Sequence, residues 1–555
     1  MKNIVFIFLI FFGFQLFAQQ EDAWIFLKDK PKSESFLANP LSILSQRAID
    51  RRNQQGVTLD VTDVPVDENY YNQLKNEPNI TILGKSKWLN ALHIQGTESV
   101  IKTLKTKFNF IESIDFADKS LNAASKTVSK KQVLNHVNKF KYTTTSFNYG
   151  ATATQIKMLN GDFLHEQGLT GKNQVIAIMD AGFPNVNTLP AFKRIRANNQ
   201  ILGGYNFADR NTSFYTRNNH GTNVLSTIGG YLEDQFVGTA PDAKFYLFIT
   251  EVVESETVLE ETLWVEAAER ADSLGVDVIN TSLGYSTFDN SKHNYTYADM
   301  DGKTTFISRG AEIASQKGIL VVNSAGNSGI SAWKHITAPA DAASVISVGA
   351  VDSSKNISPF SSFGPSFDGR IKPEILALGT SASVINHTNG AISNANGTSF
   401  SAPIMAGLIA CLNDNEGFIL KSSAKKNSKN FNDYLKEAVY KSADRYANPT
   451  DQHGYGIPDF KVAFTNFTSV FSVDSNSLNE ISIYPNPVVT IFKVNGIEED
   501  LERYQYKMFD VLGKKVLQQV KFNQNQIDIS LLKKGVYFLQ LSKDNQQKTI
   551  KILKQ

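Results

Sequence analysis

The chain has 555 residues, 41% hydrophobic and 20% charged. It is too long for one ordinary domain and too apolar for disorder. Lys plus Arg number 56 and Asp plus Glu 54, and the resulting net charge of +2 argues against a nucleic-acid surface. Cys411 is the only cysteine, so no intrachain disulfide can form. It lies in the apolar helical run Ala402 to Leu412 and reads as a small core residue.

Residues 1–18 carry Lys2, then the apolar run Val5 to Phe17, then the small residue Ala18. That is the pattern of a secretory signal peptide, too short for a membrane span. Residues 19–120 mix short strands with amphipathic stretches, among them Trp24 to Leu27, Ile80 to Leu83 and Val100 to Leu104, as expected of a small α+β unit. Residues 121–150 have linker composition, rich in Lys, Ser, Thr and Asn, and invite proteolytic processing.

Residues 151–466 alternate short apolar strands with helical patterns. The strands read as Val175 to Met179, Phe245 to Ile249, Val276 to Ile279, Ile319 to Val322 and Val345 to Val348. Helices read as Val258 to Leu274 and Ala311 to Gln316. This predicts an α/β fold, a doubly wound and mostly parallel sheet with ligands at the strands' carboxyl ends. After a linker at 467–480, residues 481–555 alternate apolar and polar positions at Tyr504, Tyr506 and Met508 and at Tyr537, Leu539 and Leu541. A small all-β sandwich is expected there.

Three segments carry chemistry. Gly397-Thr398-Ser399 joins a polar loop to an apolar helix and sets a hydroxyl where free N–H groups favour developing negative charge. Val175 to Asp180 is an apolar strand ending in a carboxylate, followed by Ala181-Gly182. Asn219-His220-Gly221-Thr222 opens a helix with a residue able to shuttle a proton near neutral pH. Taken singly these read as a helix cap, a turn residue and a structural histidine. Their order, Asp then His then Ser, separates one convergent triad type from the others.

On these residues the region 151–466 resembles the catalytic domain of the subtilisin-like serine proteases. Gly238-Thr239-Ala240-Pro241, Ile279 to Gly284, Val322 to Asn327, Phe363-Gly364-Pro365, Lys372-Pro373-Glu374 and Gly454-Tyr455-Gly456 follow in the family's order. The resemblance implies Asp180, His220 and Ser399 as catalytic triad and Asn327 as oxyanion-hole donor. It implies Ser282, Leu283, Gly284, Ala325 and Gly326 as substrate-binding residues, and by analogy an apolar or large P1 residue. Ala181, Asn223, Ile404 and Leu378 depart from common family residues without removing a catalytic group.

Residues 19–120, with Leu44 to Ala48 and Lys87 to Ala91, resemble the inhibitory, chaperone-like prodomains of related secreted bacterial proteases. Residues 481–555, with Ile483-Tyr484-Pro485-Asn486-Pro487 and Gly535 to Leu539, resemble the type-A C-terminal sorting domain of the type IX secretion system of Bacteroidetes.

The expected protein is thus a secreted or cell-surface serine endopeptidase, exported via the periplasm and made as an autoprocessed precursor. Its partners are polypeptide substrates, its own prodomain and the outer-membrane secretion machinery. The chemistry needs no cofactor and no metal at the catalytic site. Asp299-Met300-Asp301-Gly302 offers closely spaced oxygens for a structural calcium, with a polar surface loop as the plain alternative. His335 reads either as a neighbour of the substrate pocket or as a solvated loop histidine. The competing reading of the whole is a catalytically silent homologue that binds peptides or a surface.

Overall fold

The structure, a computed structural model, describes residues 19–122, 147–414, 431–471, 481–496, 504–519, 524–543 and 546–555. The leader at 1–18 and most of both linkers lie outside the described residues. Two compact units divide between Val470 and Phe471.

The first unit begins with a four-stranded antiparallel sheet, in the order Ile80–Ser86, Ala91–Thr97, Gln20–Leu27 and Ile111–Phe116. Successive strand side chains point to opposite faces, and the strand Gln20–Leu27 uses both. Ala23, Ile25 and Leu27 join Leu74, Ile101 and Leu104 of the helices Glu68–Lys75 and Glu98–Lys107 in a local core. Trp24 and Phe26 face the other way, into a cluster with Trp264 and Phe306 of the following α/β region. Trp24 stacks on Phe306 with ring centroids 4.9 Å apart.

Polar contacts reinforce that junction on the helix Leu259–Leu274. Thr262, Glu266, Glu269 and Asp272 recur at helical spacing. Thr262 Oγ1 accepts from Trp24 Nε1 at 3.0 Å. Glu269 accepts from Ser86 Oγ at 2.6 Å and from the N–H groups of Lys87 and Trp88 at 3.1 and 3.0 Å. Arg52, fully buried, lies between Asp63 and Asp272 at 2.6 and 2.5 Å.

The α/β region is built on a seven-stranded sheet, every neighbouring pair parallel. Its order is Ile375–Leu378, Ile346–Val351, Leu320–Ser324, Val278–Thr281, Val175–Asp180, Lys244–Ile249 and Ile201–Asn206. The interior strand Val175–Asp180 is buried at every position, as a sheet covered on both faces requires. The sheet adds two strands the periodicity did not signal. Ile201–Asn206 is an edge strand containing Gly203 and Gly204, and Ile375–Leu378 is short and follows Pro373. The helices His220–Gly229 and Thr398–Asn413 pack together and against the sheet, and so do Leu259–Leu274 and Phe306–Gln316.

The second unit holds two antiparallel sheets. One comprises Ser482–Tyr484, Ile491–Asn495 and Gln526–Asp528, the other Lys515–Gln519, Tyr504–Asp510, Gly535–Lys543 and Gln546–Lys554. Tyr504, Tyr506 and Met508 from one sheet and Phe492, Val494 and Ile527 from the other share a single core, so the unit is a sandwich. Among the described residues, no helix is long and apolar enough to cross a membrane.

Candidate active site

The strand Val175–Asp180 carries its carboxylate to the carboxyl end of the sheet, where Asp180 is 2% exposed. Its Oδ1 accepts from the Ala181 N–H at 2.7 Å and lies 2.8 Å from His220 Nδ1. That contact leaves Nε2 as the ring nitrogen with a free lone pair. His220 opens the helix His220–Gly229, and its own N–H is held by Asn218 Oδ1 at 2.9 Å. Close approach of helix to strand depends on Gly221. A Cβ there would lie 2.5 Å from the Gly182 carbonyl oxygen and 3.0 Å from Asp180 Cβ. Burial disfavours a charged imidazole, but the Asp180 carboxylate and its hydrogen bond outweigh burial and hold His220 above its ordinary value of 6.5.

Ser399 is the second residue of the helix Thr398–Asn413. Gly397 precedes it at φ 147°, ψ 149°, a conformation open essentially to glycine alone, and turns the chain sharply into the helix. Ser399 Oγ donates to the Ser282 carbonyl at 3.3 Å, and Ser282 Oγ returns a bond to the Ser399 carbonyl at 2.9 Å. The structure therefore joins Asp180 to His220 directly and Ser399 to Ser282. It forms no Ser399–His220 hydrogen bond, a contact that commonly tightens only with substrate.

Asn327 stands beside this serine. Its Oδ1 accepts from the N–H and the Oγ1 of Thr398, at 2.9 and 3.0 Å. With the carbonyl end so engaged, the Nδ2 end is left to donate. The Thr398 hydroxyl also accepts from the Gly326 N–H at 3.2 Å. Thr398 thus ties the Asn327 segment to the serine turn. Sequence reasoning missed this role and that of Asn218, although both lie within two residues of a singled-out position.

Ser282, Leu283, Gly284, Ser324, Gly326, Asn327 and Ser399 line one cleft of about 460 Å³. Asn323 Nδ2 fixes the Leu283 carbonyl at 3.1 Å. Ala325 is buried behind the cleft wall, its N–H bonded to the Val348 carbonyl at 3.0 Å. His335 is not among the cleft residues. It stacks on Tyr297 with ring centroids 3.9 Å apart, and it is Thr337, two residues on, that reaches the cleft. The carboxylates of Asp299 and Asp301 are engaged locally. Asp299 pairs with Lys119 at 2.5 Å and caps Thr296, and Asp301 accepts from the N–H groups of Lys303 and Thr304 at 2.8 Å. Cys411 is buried in the core, and burial pushes its thiol well above the usual range.

Residues 171–457, more than half of the chain, match the model of the subtilase family. The chain belongs to the subtilase family. It is a serine endopeptidase of that family. Residues 22–135 match the peptidase S8 propeptide domain of Bacteroidota, and residues 482–555 a secretion system C-terminal sorting domain. The subtilase is therefore made with a propeptide and is secreted or held at the cell surface. It is 30% identical to subtilisin DY of Bacillus licheniformis over 259 residues, which cover 46% of this chain and 82% of that protein. It is 31% identical to subtilisin E of Bacillus subtilis over 266 residues, 46% of this chain and 60% of that protein. A crystal structure of MycP1 with its N-terminal propeptide removed aligns with 56% of this chain and 96% of that one, at 21% identity and a TM-score of 0.43.

Proposed function

We propose that this subtilase hydrolyses peptide bonds by acyl transfer through Ser399, His220 and Asp180. The observation that carries the reading is the 2.8 Å Asp180–His220 contact at the carboxyl end of the strand Val175–Asp180, with the His220 ring 5.9 Å from that of Phe400, the residue after Ser399. His220 Nε2 takes the Ser399 proton as Oγ attacks the scissile carbonyl, and later gives it to the leaving amine. Asp180 holds the tautomer and stabilises the imidazolium. Asn327 Nδ2 and the Ser399 N–H bind the tetrahedral oxyanion, with the helix N-terminus behind them. Ser282-Leu283-Gly284 pairs with extended substrate backbone, and Gly326 lines the opposite wall with Ala325 buried behind it. The reaction needs no metal or organic cofactor, and a structural calcium at Asp299–Gly302 would only brace a loop.

The same active site releases its own prodomain by cutting the linker at 121–150. The leader directs the precursor to the periplasm, and the C-terminal unit then engages the outer-membrane secretion machinery. The test compares full-length precursor with its Ser399→Ala variant, following prodomain release by mass spectrometry. Release in the wild type alone establishes autoprocessing. If both stay folded and unprocessed, and remain inactive even after an added protease nicks the linker, the chain is a silent peptide-binding homologue instead.

A further inference from the structure

The cleft beside Ser399 and Asn327 is also lined by Glu256 and Asp289, two carboxylates outside the motifs described above. They meet across two loops. The Asp289 N–H donates to the Glu256 carbonyl at 2.9 Å, and the Glu256 N–H to Asp289 Oδ2 at 3.1 Å. Among the described residues neither carboxylate has an ion-pair partner. Burial and the neighbouring Asp289 charge both raise Glu256 from its ordinary value of 4.5. Behind them, Glu251 and Glu260 are pushed up by burial, Glu260 to about 8.

Local contacts support this pair. Glu260 accepts from the N–H groups of Val252 and Thr257 at 2.7 and 3.0 Å, closing the loop that presents Glu256. Asp289 follows Phe288, whose ring stacks on Tyr285 with centroids 6.1 Å apart.

A second feature also asks for a polar occupant. Thr337, 4% exposed, lines the cleft, and its Oγ1 has no hydrogen-bond partner among the described residues. That hydroxyl sits between the two walls, 2.1 Å from where a Cβ on Gly284 would lie and 3.1 Å from one on Gly326. A buried hydroxyl left unpaired costs free energy that a ligand donor would recover. An apolar side chain here would strip water from two like-charged carboxylates and give nothing back.

We propose that this cleft receives a cationic substrate side chain, Arg or Lys, at the residue whose carbonyl Ser399 attacks, and that Asp289 and Glu256 select it. This rests on the acyl-transfer reading above and adds its substrate class. A guanidinium or ammonium group satisfies both carboxylates through charge-assisted hydrogen bonds, and its N–H groups also suit the Thr337 hydroxyl as an acceptor. The chain's own segment between Asn122 and Phe147 has the matching chemistry. It carries Lys126, Lys130, Lys131, Lys139 and Lys141 and no carboxylate.

The test uses the full-length precursor and its mature product with fluorogenic peptides that differ only at P1, bearing Arg, Lys, Phe or Glu. A fluorophosphonate probe reports separately on Ser399. For the wild type, kcat/KM for Arg and Lys should exceed that for Phe by about tenfold or more, the scale of a charge-assisted bond. The Asp289→Asn, Glu256→Gln double variant should lose most of that ratio. The prodomain released by the wild type should end on one of the five lysines. Preference for Phe by a labelled, active wild type overturns this inference alone, as does an unchanged ratio in the double variant or a prodomain end after an apolar residue. A wild type that neither labels nor cleaves defeats the acyl-transfer reading and this one with it.

Discussion

Asp180 Oδ1 lies 2.8 Å from His220 Nδ1, and the carboxylate's other oxygen is buried without a hydrogen-bond partner among the described residues. The imidazole is therefore the principal outlet for a buried charge, and its basicity is raised in return. Asp180→Asn should lower kcat by about 10⁴, as loss of the orienting acid does in such triads. A pH profile adds a sign. His220 must be neutral to accept the Ser399 proton, so its raised value sets the acid limb of kcat/KM above 6.5. Removing the Asp180 charge should move that limb to lower pH, and a limb that stays in place would sink the pairing.

Asn327 and Thr398 make a second coupled pair. Asn327→Ala should lower kcat by about 10²–10³ with little change in KM, because an oxyanion donor acts on the transition state. Thr398→Val keeps the shape and removes the hydroxyl that holds Asn327 Oδ1 at 3.0 Å. A smaller loss, about fivefold to tenfold in kcat, is expected from one misplaced hydrogen bond. Steady-state kinetics of both variants separate the outcomes, and equal losses would contradict the ranking.

Arg52 tests the propeptide junction. It is fully buried between Asp63 and Asp272, so Arg52→Ala removes the cation they share and leaves Asp272 with Arg51 alone and Asp63 with Lys317 alone. In the uncleaved Ser399→Ala precursor this should cost about 1.5–3 kcal/mol, the scale of losing hydrogen bonds to a charged group, read by urea unfolding. Burial pushes the Asp63 carboxyl up, but Arg52 and the Asp60 N–H outweigh it and hold the group at about 2. The folded value is below the ordinary 3.8, so this stabilisation is present above 3.8 and is lost as pH falls towards about 2. A precursor whose propeptide undocks at pH 5 by size-exclusion chromatography would show that another group controls the contact.

Cys411 should be inert. Its thiol is buried and its deprotonation is disfavoured by burial and then by the Asp414 and Asp242 charges. Iodoacetamide at pH 8 should leave peptidase activity unchanged over hours, while a serine-directed fluorophosphonate abolishes it. Loss of activity to the alkylating agent would mean that the Thr398–Asn413 helix opens far more readily than its packing implies.

The fold class and the reacting groups were legible in the sequence because their signals are local. Near-continuous apolar strands such as Val175–Asp180 announce a sheet covered on both faces, and period-2 alternation at Tyr504, Tyr506 and Met508 announces a one-sided strand. Gly397 before Ser399 and the carboxylate closing a strand are likewise local marks of a sharp turn and a sheet end. The edge strand Ile201–Asn206 escaped because its glycines erase the apolar run. Only the tertiary structure decided what depends on distant segments meeting. Glu266, Glu269 and Asp272 have the helical spacing of a solvated face, yet they receive the propeptide from some 180 to 220 residues upstream. Thr337 and Asp289 reach the Ser399 cleft the same way, from loops whose own sequences are ordinary. Local patterning specifies each element through the chain's own periodicity, whereas charge partners and cleft walls arise from packing between elements, which no single segment encodes.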